Sequence, residues 1–131
     1  MANRVTVVRI RKESGGNVND ELQWLGNSLG LFNLRDKDSS CFRVFITLVK
    51  RSQRKTPITS DDVAEKLHLT RGTVVHHLNK LMSSGIVIRE SGGYLLRETN
   101  LQDMIKDLQR DIEGVFSQLK DVAKEIDGKL S

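Results

Sequence analysis

A mainly α chain with a small β-hairpin (α+β) is the predicted fold class, and three observations predict it. Ile58 to Arg97 reads as two short helices, each with its own start signal, then two β-rich runs joined through glycines. Residues 100–131 hold apolar side chains at alternating spacings of four and three, a sustained helical repeat. The stretch before Ile58 contributes only short elements and one longer amphipathic helix. The order helix, tight turn, helix, hairpin is that of a winged helix-turn-helix, and the repeat adds a long C-terminal helix suited to dimerisation. The expected division is residues 1–35 as an N-terminal strand and short helix extension, 36–99 as the winged unit, and 100–131 as a coiled-coil-like dimerisation helix.

A chain of 131 residues suits one domain or one domain with an extension. Its 37% apolar and 29% charged residues are ordinary for a globular protein and argue against wholesale disorder. No apolar run approaches the roughly 20 residues that span a bilayer, so no membrane partner is expected. The opening MANRVTVVRIRKE lacks a cleavage-site pattern, so no signal peptide is expected. Cys41 is the only cysteine and cannot form an internal disulfide, which fits a reducing compartment. The expected localisation is cytoplasmic, with the nucleoid. The net charge of +4 is uneven: residues 1–59 carry 11 Lys/Arg against 5 Asp/Glu, residues 60–99 carry 5 of each, and residues 100–131 carry 5 against 7. A local cluster stands at Lys50, Arg51, Arg54 and Lys55. A modest basic excess favours a polyanion partner without requiring one.

Taken in order, Val5–Ile10 is β-branched and roughly alternating, which predicts a strand. Ser14, Gly15, Gly16 and Asn17 break it. Asn19 or Asp20 is the expected cap of a short helix carrying Leu22, Trp24, Leu25 and Leu29, stopped by Gly30. The next helix is expected from Asp36 to about Arg54, capped by Asp36 or Asp38. Its rows Cys41, Phe45, Leu48 and Phe42, Ile46, Val49 make a wide face, so it should be central to the core. Pro57 ends the basic linker. Thr59 or Ser60 caps the first helix of the pair, and Thr59 with Asp62 has capping-box spacing. Val63, Ala64 and Leu67 point inward, and His68-Leu69 makes the turn.

Thr70 caps the second helix, roughly Arg71 to Ser83, whose Val74, Leu78 and Leu81 form one buried stripe. The other side presents Arg71, Gly72, Thr73, Val75, His76, Asn79 and Lys80. A groove-reading helix needs this division, because its first turn must reach bases and phosphates and its dipole favours the anion. Arg71 can meet a phosphate, or a guanine edge with two hydrogen bonds. Thr70 and Thr73 can donate to phosphate oxygens, Gly72 permits close backbone approach, and Val75 can meet a thymine methyl. His76 and Asn79 are polar readers, and Lys80, a turn further on, suits the DNA backbone. For each residue alone an ordinary surface role is as good an account; the joint pattern favours the set. His77 points about 100° from His76 and is expected half buried against the domain.

Gly85 ends this helix. Ile86–Glu90 and Tyr94–Arg97 are the expected strands, with Ser91-Gly92-Gly93 as the tip. Arg89, Gly92 and Gly93 are the expected wing contacts, with Arg97 behind Arg89 adding charge for a phosphate or the minor groove. Asn100 caps the last helix. Leu101, Ile105, Leu108, Ile112, Val115, Leu119, Val122 and Ile126 form the expected dimer seam, which Met104 and Phe116 widen. No metal site, cofactor or catalytic residue is expected. One thiol and two adjacent helical histidines do not make a ligand set, and no nucleophile-base pair or phosphate-cradling loop is present.

The run LTRGTVVHHLNKLMSSGIVIRESGGYLLR resembles winged-helix transcription regulators of the broad ArsR/MarR type. In that group a T/S-x-x-T-V-x-x-H-L-x-x-L helix precedes a Gly-apolar-apolar strand and a wing. Those positions here are Thr70, Thr73, Val74, His77, Leu78, Leu81 and Gly85-Ile86-Val87. The whole chain looks most like the ArsR-like regulators of archaea. The resemblance implies a homodimer that binds a pseudo-palindromic double-stranded DNA operator, commonly as a repressor. Many ArsR proteins sense metal through paired cysteines. With Cys41 alone that chemistry does not carry over, and no effector pocket is legible.

The leading expectation is thus a sequence-specific DNA-binding transcription regulator acting as a homodimer. One alternative is a low-specificity architectural DNA-binding protein, against which the mixed polar and apolar helix face argues. The other is a winged-helix module that binds protein, which the neutral balance of residues 60–99 keeps open.

Overall fold

The computed structural model describes residues 4–12, 16–32 and 39–131. Its elements are α1 (Val18–Ser28), α2 (Ser40–Arg51), α3 (Ser60–Leu67), α4 (Arg71–Ser83), β1 (Val87–Glu90), β2 (Gly93–Leu96) and α5 (Leu101–Leu130). A 3-10 turn at Ser52–Arg54 follows α2. The strands pair antiparallel with Val87 opposite Leu96 and Glu90 opposite Gly93. This is the predicted winged helix-turn-helix with a long final helix.

Side-chain caps start four of the helices. Asn17, not Asn19 or Asp20, caps α1 by accepting from the Asp20 amide at 2.8 Å. Asp20 instead joins Glu21 in the first turn, where negative charge suits the helix dipole. Thr59, Thr70 and Asn100 accept from the amides of Asp62, Thr73 and Asp103, which sets the starts of α3, α4 and α5 where expected. The proposed caps Asp36 and Asp38 of α2 lie outside the described residues, as do Ser14 and Gly15. Gly30 and Gly85, the expected stops of α1 and α4, both have positive φ.

α2 is the central helix. Cys41, Val44, Phe45 and Leu48 are buried, and Phe42, Ile46 and Val49 are half-buried on its flank. The same core takes Val63 from α3, then Val74, Leu78 and Leu81 from α4. Ile86, Leu96, Met104 and Leu108 close it from the hairpin and from α5. Burial of that many aliphatic side chains, each worth about 1.5–3 kcal/mol, holds the helix-turn-helix to α2 and α5 together.

Three expectations are corrected. Residues 5–10 form no strand: Val8 N–H donates to the Ser28 carbonyl and Arg4 N–H to the Ser83 carbonyl, single bonds rather than a ladder. The Trp24 indole donates to the Ile10 carbonyl at 3.2 Å, so this segment is tied across the ends of α1 and α4. The hairpin's third partner is Ile58 instead, which exchanges backbone hydrogen bonds of 3.0 and 2.8 Å with Tyr94. Along α5, Leu108 is buried and Leu101 and Ile105 pack against the protomer's own core, so these three do not form a free seam. The exposed part begins beyond the half-buried Ile112.

The third correction is Arg97. It does not reinforce the wing: its Nη1 donates to Asp111 Oδ2 at 2.6 Å, and its Nε lies 3.4 Å from Asp107 Oδ2. The hydrogen bond from Arg97, then its charge, holds the Asp111 carboxyl below the ordinary carboxylate range against a partial desolvation. A carboxylate with a lowered folded pKa stabilises above its unfolded value, about 3.9, and loses that contribution as pH falls through the folded pKa. The pair is partly solvated, so Asp111→Asn is expected to cost no more than about 1 kcal/mol at pH 7. Urea denaturation across pH should show wild type and variant converging in acid. A gap that persisted below pH 3 would assign the effect to packing.

Candidate nucleic-acid interface

α4 presents its outward side to solvent because Val74, Leu78 and Leu81 commit the opposite side to the core. Thr70 closes the first turn twice over: its Oγ1 accepts from the Thr73 amide at 3.2 Å and donates to Thr73 Oγ1 at 2.8 Å. Thr73 is half-buried in consequence, while Thr70, Arg71 and Gly72 are exposed. Nothing lies within 4 Å of a Cβ built on Gly72, so the start of the helix is open to a flat or convex partner. One turn on, His76 and Asn79 are exposed and Val75 is half-buried.

Arg71 Nε stands 3.4 Å from Asp61 Oδ1 of α3, and both side chains are 72% exposed. At that exposure the pair contributes little, so a phosphate can exchange for the carboxylate at small cost. His77, expected half buried, is so: its Nε2 shares a 2.6 Å hydrogen bond with Ser40 Oγ, linking α4 to the start of α2. Arg43 of α2 donates to the Leu67 carbonyl at the end of α3, so polar ties from α2 reach both helices of the pair.

Two expected contacts lie elsewhere. The Lys80 ammonium donates to the Leu31 carbonyl at 2.8 Å, a tether across 49 residues of sequence, and so is not directed at a DNA backbone. Lys80→Met is therefore expected to lower stability by about 1–2 kcal/mol while the slope of DNA affinity against salt stays unchanged. Losing one unit of that slope would put the ammonium on a phosphate after all. Gly93 is the first residue of β2, buried, and a Cβ there would come 2.7 Å from Pro57 Cβ. It is a packing position, and the turn consists of Ser91 and Gly92 alone.

That turn is tight because both residues take positive φ, 49° at Ser91 and 78° at Gly92. The pairing of two positive-φ residues suits a two-residue hairpin whose strands twist correctly. Its tip is exposed, and beside it the Arg89 guanidinium lies 5.4 Å from the Tyr94 ring centroid. The ring steadies the cation without neutralising it. Tyr94 and Asp61 are neighbours of the candidate site that the sequence pattern did not single out, since each meets its arginine only once the hairpin or the helix pair has formed. Of the basic cluster at the end of α2 and just beyond it, Lys50, Arg54 and Lys55 are exposed and Arg51 is half-buried, its Nη2 3.4 Å from the Thr56 carbonyl.

The exposed residues thus gather into two outcrops, the open first turns of α4 and the tip of the hairpin. Among the described residues no helix is long and apolar enough to cross a membrane. A comparison with curated proteins found no match. Residues 54–89 do match a family model, that of the bacterial regulatory protein, arsR family. The match runs from the 3-10 turn through α3 and α4 into β1. Residues 54–89 are therefore similar to the helix-turn-helix of that regulatory family, and the hairpin they run into completes a winged unit of the kind found in DNA-binding transcription regulators.

Proposed function

We propose that the protein is a homodimeric, sequence-specific regulator that binds a two-half-site operator and represses transcription by occupying it. α4 enters the major groove. Arg71 and Thr70 meet phosphates at its first turn, where the helix dipole assists, and His76, Asn79 and Val75 face base edges. Arg89 and the Gly92 turn rest on the flanking backbone or in the minor groove. The observation that carries this reading is the open, exposed start of α4, inside the residues 54–89 that match the ArsR-family model, together with an exposed wing tip just after them. The mixed face of α4 favours base readout over pure phosphate binding, which would call for more Lys and Arg.

The test is selection of genomic fragments by the purified protein near 0.15 M salt, where non-specific phosphate binding is weakened. The expected result is a few enriched sites with half-sites separated by a whole number of helical turns. Even recovery of all fragments would replace this reading with an architectural role. No recovery at any salt would replace it with a protein-binding one.

A further inference from the structure

The outer half of α5 is an apolar face that the described residues of the protomer leave exposed. Val115, Phe116, Leu119, Val122 and Ile126 are each 49–56% exposed, and Leu130 is 81% exposed. In heptad terms Leu119 and Ile126 stand at a, and Val115 and Val122 at d. The flanks are unequal. The e column holds Phe116, Ala123 and Leu130, and the g column holds Asp111, Gln118 and Glu125. In a two-stranded coil these flanks decide orientation, because parallel helices set e against g of the partner while antiparallel helices set e against e and g against g.

We infer that two copies of α5 pair antiparallel, centred between Leu119 and Val122. This deepens the proposed dimer and rests on it. In that register Val115 meets the partner's Ile126 and Leu119 meets the partner's Val122, which gives four wholly apolar layers by symmetry. Phe116 then lies beside the partner's Ala123 and Leu130, so the apolar flank is buried against itself. Gln118 lies beside the partner's Glu125, with no like charges opposed. A parallel pairing would instead press Phe116 against the partner's Asp111 and Leu130 against the partner's Glu125. Those carboxylates, already paired with Arg97 and Lys129 of their own chain, would lose water under an apolar side chain, and neither apolar flank would find an apolar partner.

The antiparallel arrangement also supplies an occupant for a groove of about 660 Å³ between the N-terminal segment and α5. Arg4, Val5 and Val7 line one side of it, and Ile112, Phe116 and Leu119 are among the residues opposite. The partner's helix, running the other way, carries its Leu130 into this groove past Phe116.

The experiment uses the full chain with single cysteines, since Cys41 is 2% exposed and stays out of reach of the reagents. Val115→Cys protein mixed with Ile126→Cys protein and treated with a short thiol-to-thiol crosslinker should give covalent dimers at least tenfold above either variant alone. Like positions would stand about 16 Å apart along the axis, eleven residues at 1.5 Å. Spin labels on the outward-facing Arg110→Cys and Lys124→Cys variants supply a second reading that leaves the seam intact. The axial separation should be about 31 Å at the first and about 10 Å at the second. Efficient crosslinking of Val115→Cys with itself, or equal distances at the two labels, would overturn the orientation and leave the dimer standing. A wild-type chain that is monomeric by light scattering would overturn the dimer as well.

Discussion

Leu119→Asp together with Val122→Asp is expected to leave the protein folded, monomeric and at least a hundredfold weaker on DNA carrying two half-sites. Both side chains are about half exposed in the protomer, so charge there meets solvent and costs the fold little. Within a dimer the same two positions face each other across the central layers, and four carboxylates would be buried without partners. The loss on DNA follows from linkage. Two modest half-site contacts joined in one particle bind about 10²–10⁴ more tightly than either alone, with no new contact made. Light scattering gives the assembly state, and fluorescence anisotropy on one-half-site and two-half-site duplexes gives the affinities. One-half-site binding should be nearly unchanged. A variant that remains dimeric would move the interface away from α5, and one that binds two half-sites undiminished would separate assembly from recognition.

Gly93→Val is expected to destabilise the fold by about 2–4 kcal/mol, the range for overpacking a site that cannot relax. The added carbon meets Pro57 Cβ at 2.7 Å and the Ile58 backbone N and O at 3.1 Å, and backbone is the part least able to move aside. The same shift breaks the Ile58–Tyr94 exchange that joins the linker to the hairpin. Gly92→Ala offers the contrast. Nothing lies within 4 Å of its Cβ position, so its cost is only the positive φ, about 1–2 kcal/mol. Chemical denaturation should therefore rank the neighbouring substitutions in that order. Equal effects would return Gly93 to the turn.

The helix-turn-helix was legible in the sequence because its signals are local. Thr59 and Thr70 cap through amides three residues on, and Val74, Leu78 and Leu81 repeat at helical spacing, so no distant residue is needed to read them. The misread elements depend on partners far along the chain. Val5–Ile10 has the composition of a strand, but composition expresses a fit to a half-buried pleated surface and supplies no neighbour to pair with. Val7 accordingly ends 63% exposed. Ile58, which does pair with the hairpin, is a single residue after Pro57 and has no pattern to show.

The candidate site divides the same way. On a helical wheel Lys80 belongs to the outer side of α4, but its four-carbon stem lets the ammonium reach Leu31. Arg97 ends a run that reads as wing, one residue past β2, and only the fold brings Asp107 and Asp111 to it. The α5 repeat is continuous from Leu101 to Ile126 because helical spacing reports that a side is apolar, not what covers it. The protomer's own core takes Leu101 to Leu108 and leaves Val115 onward exposed.

The bond between Arg97 and the Asp107–Asp111 turn of α5 has a mechanical consequence. It fastens the end of the hairpin to the helix proposed as the dimer axis, while Met104 and Leu108 seat the same helix in the core that Val74, Leu78 and Leu81 of α4 share. Reading head and axle then turn as one body, and a dimer so built behaves as a caliper of fixed opening. Each base pair inserted between half-sites moves the second target by about 3.4 Å and rotates it by about a tenth of a turn. A stiff caliper follows the translation poorly and the rotation not at all. In the proposed dimer, tolerance to spacer length would then be set in the protein, by the core that seats α5 with the Arg97 pair as a minor brace, rather than in the DNA.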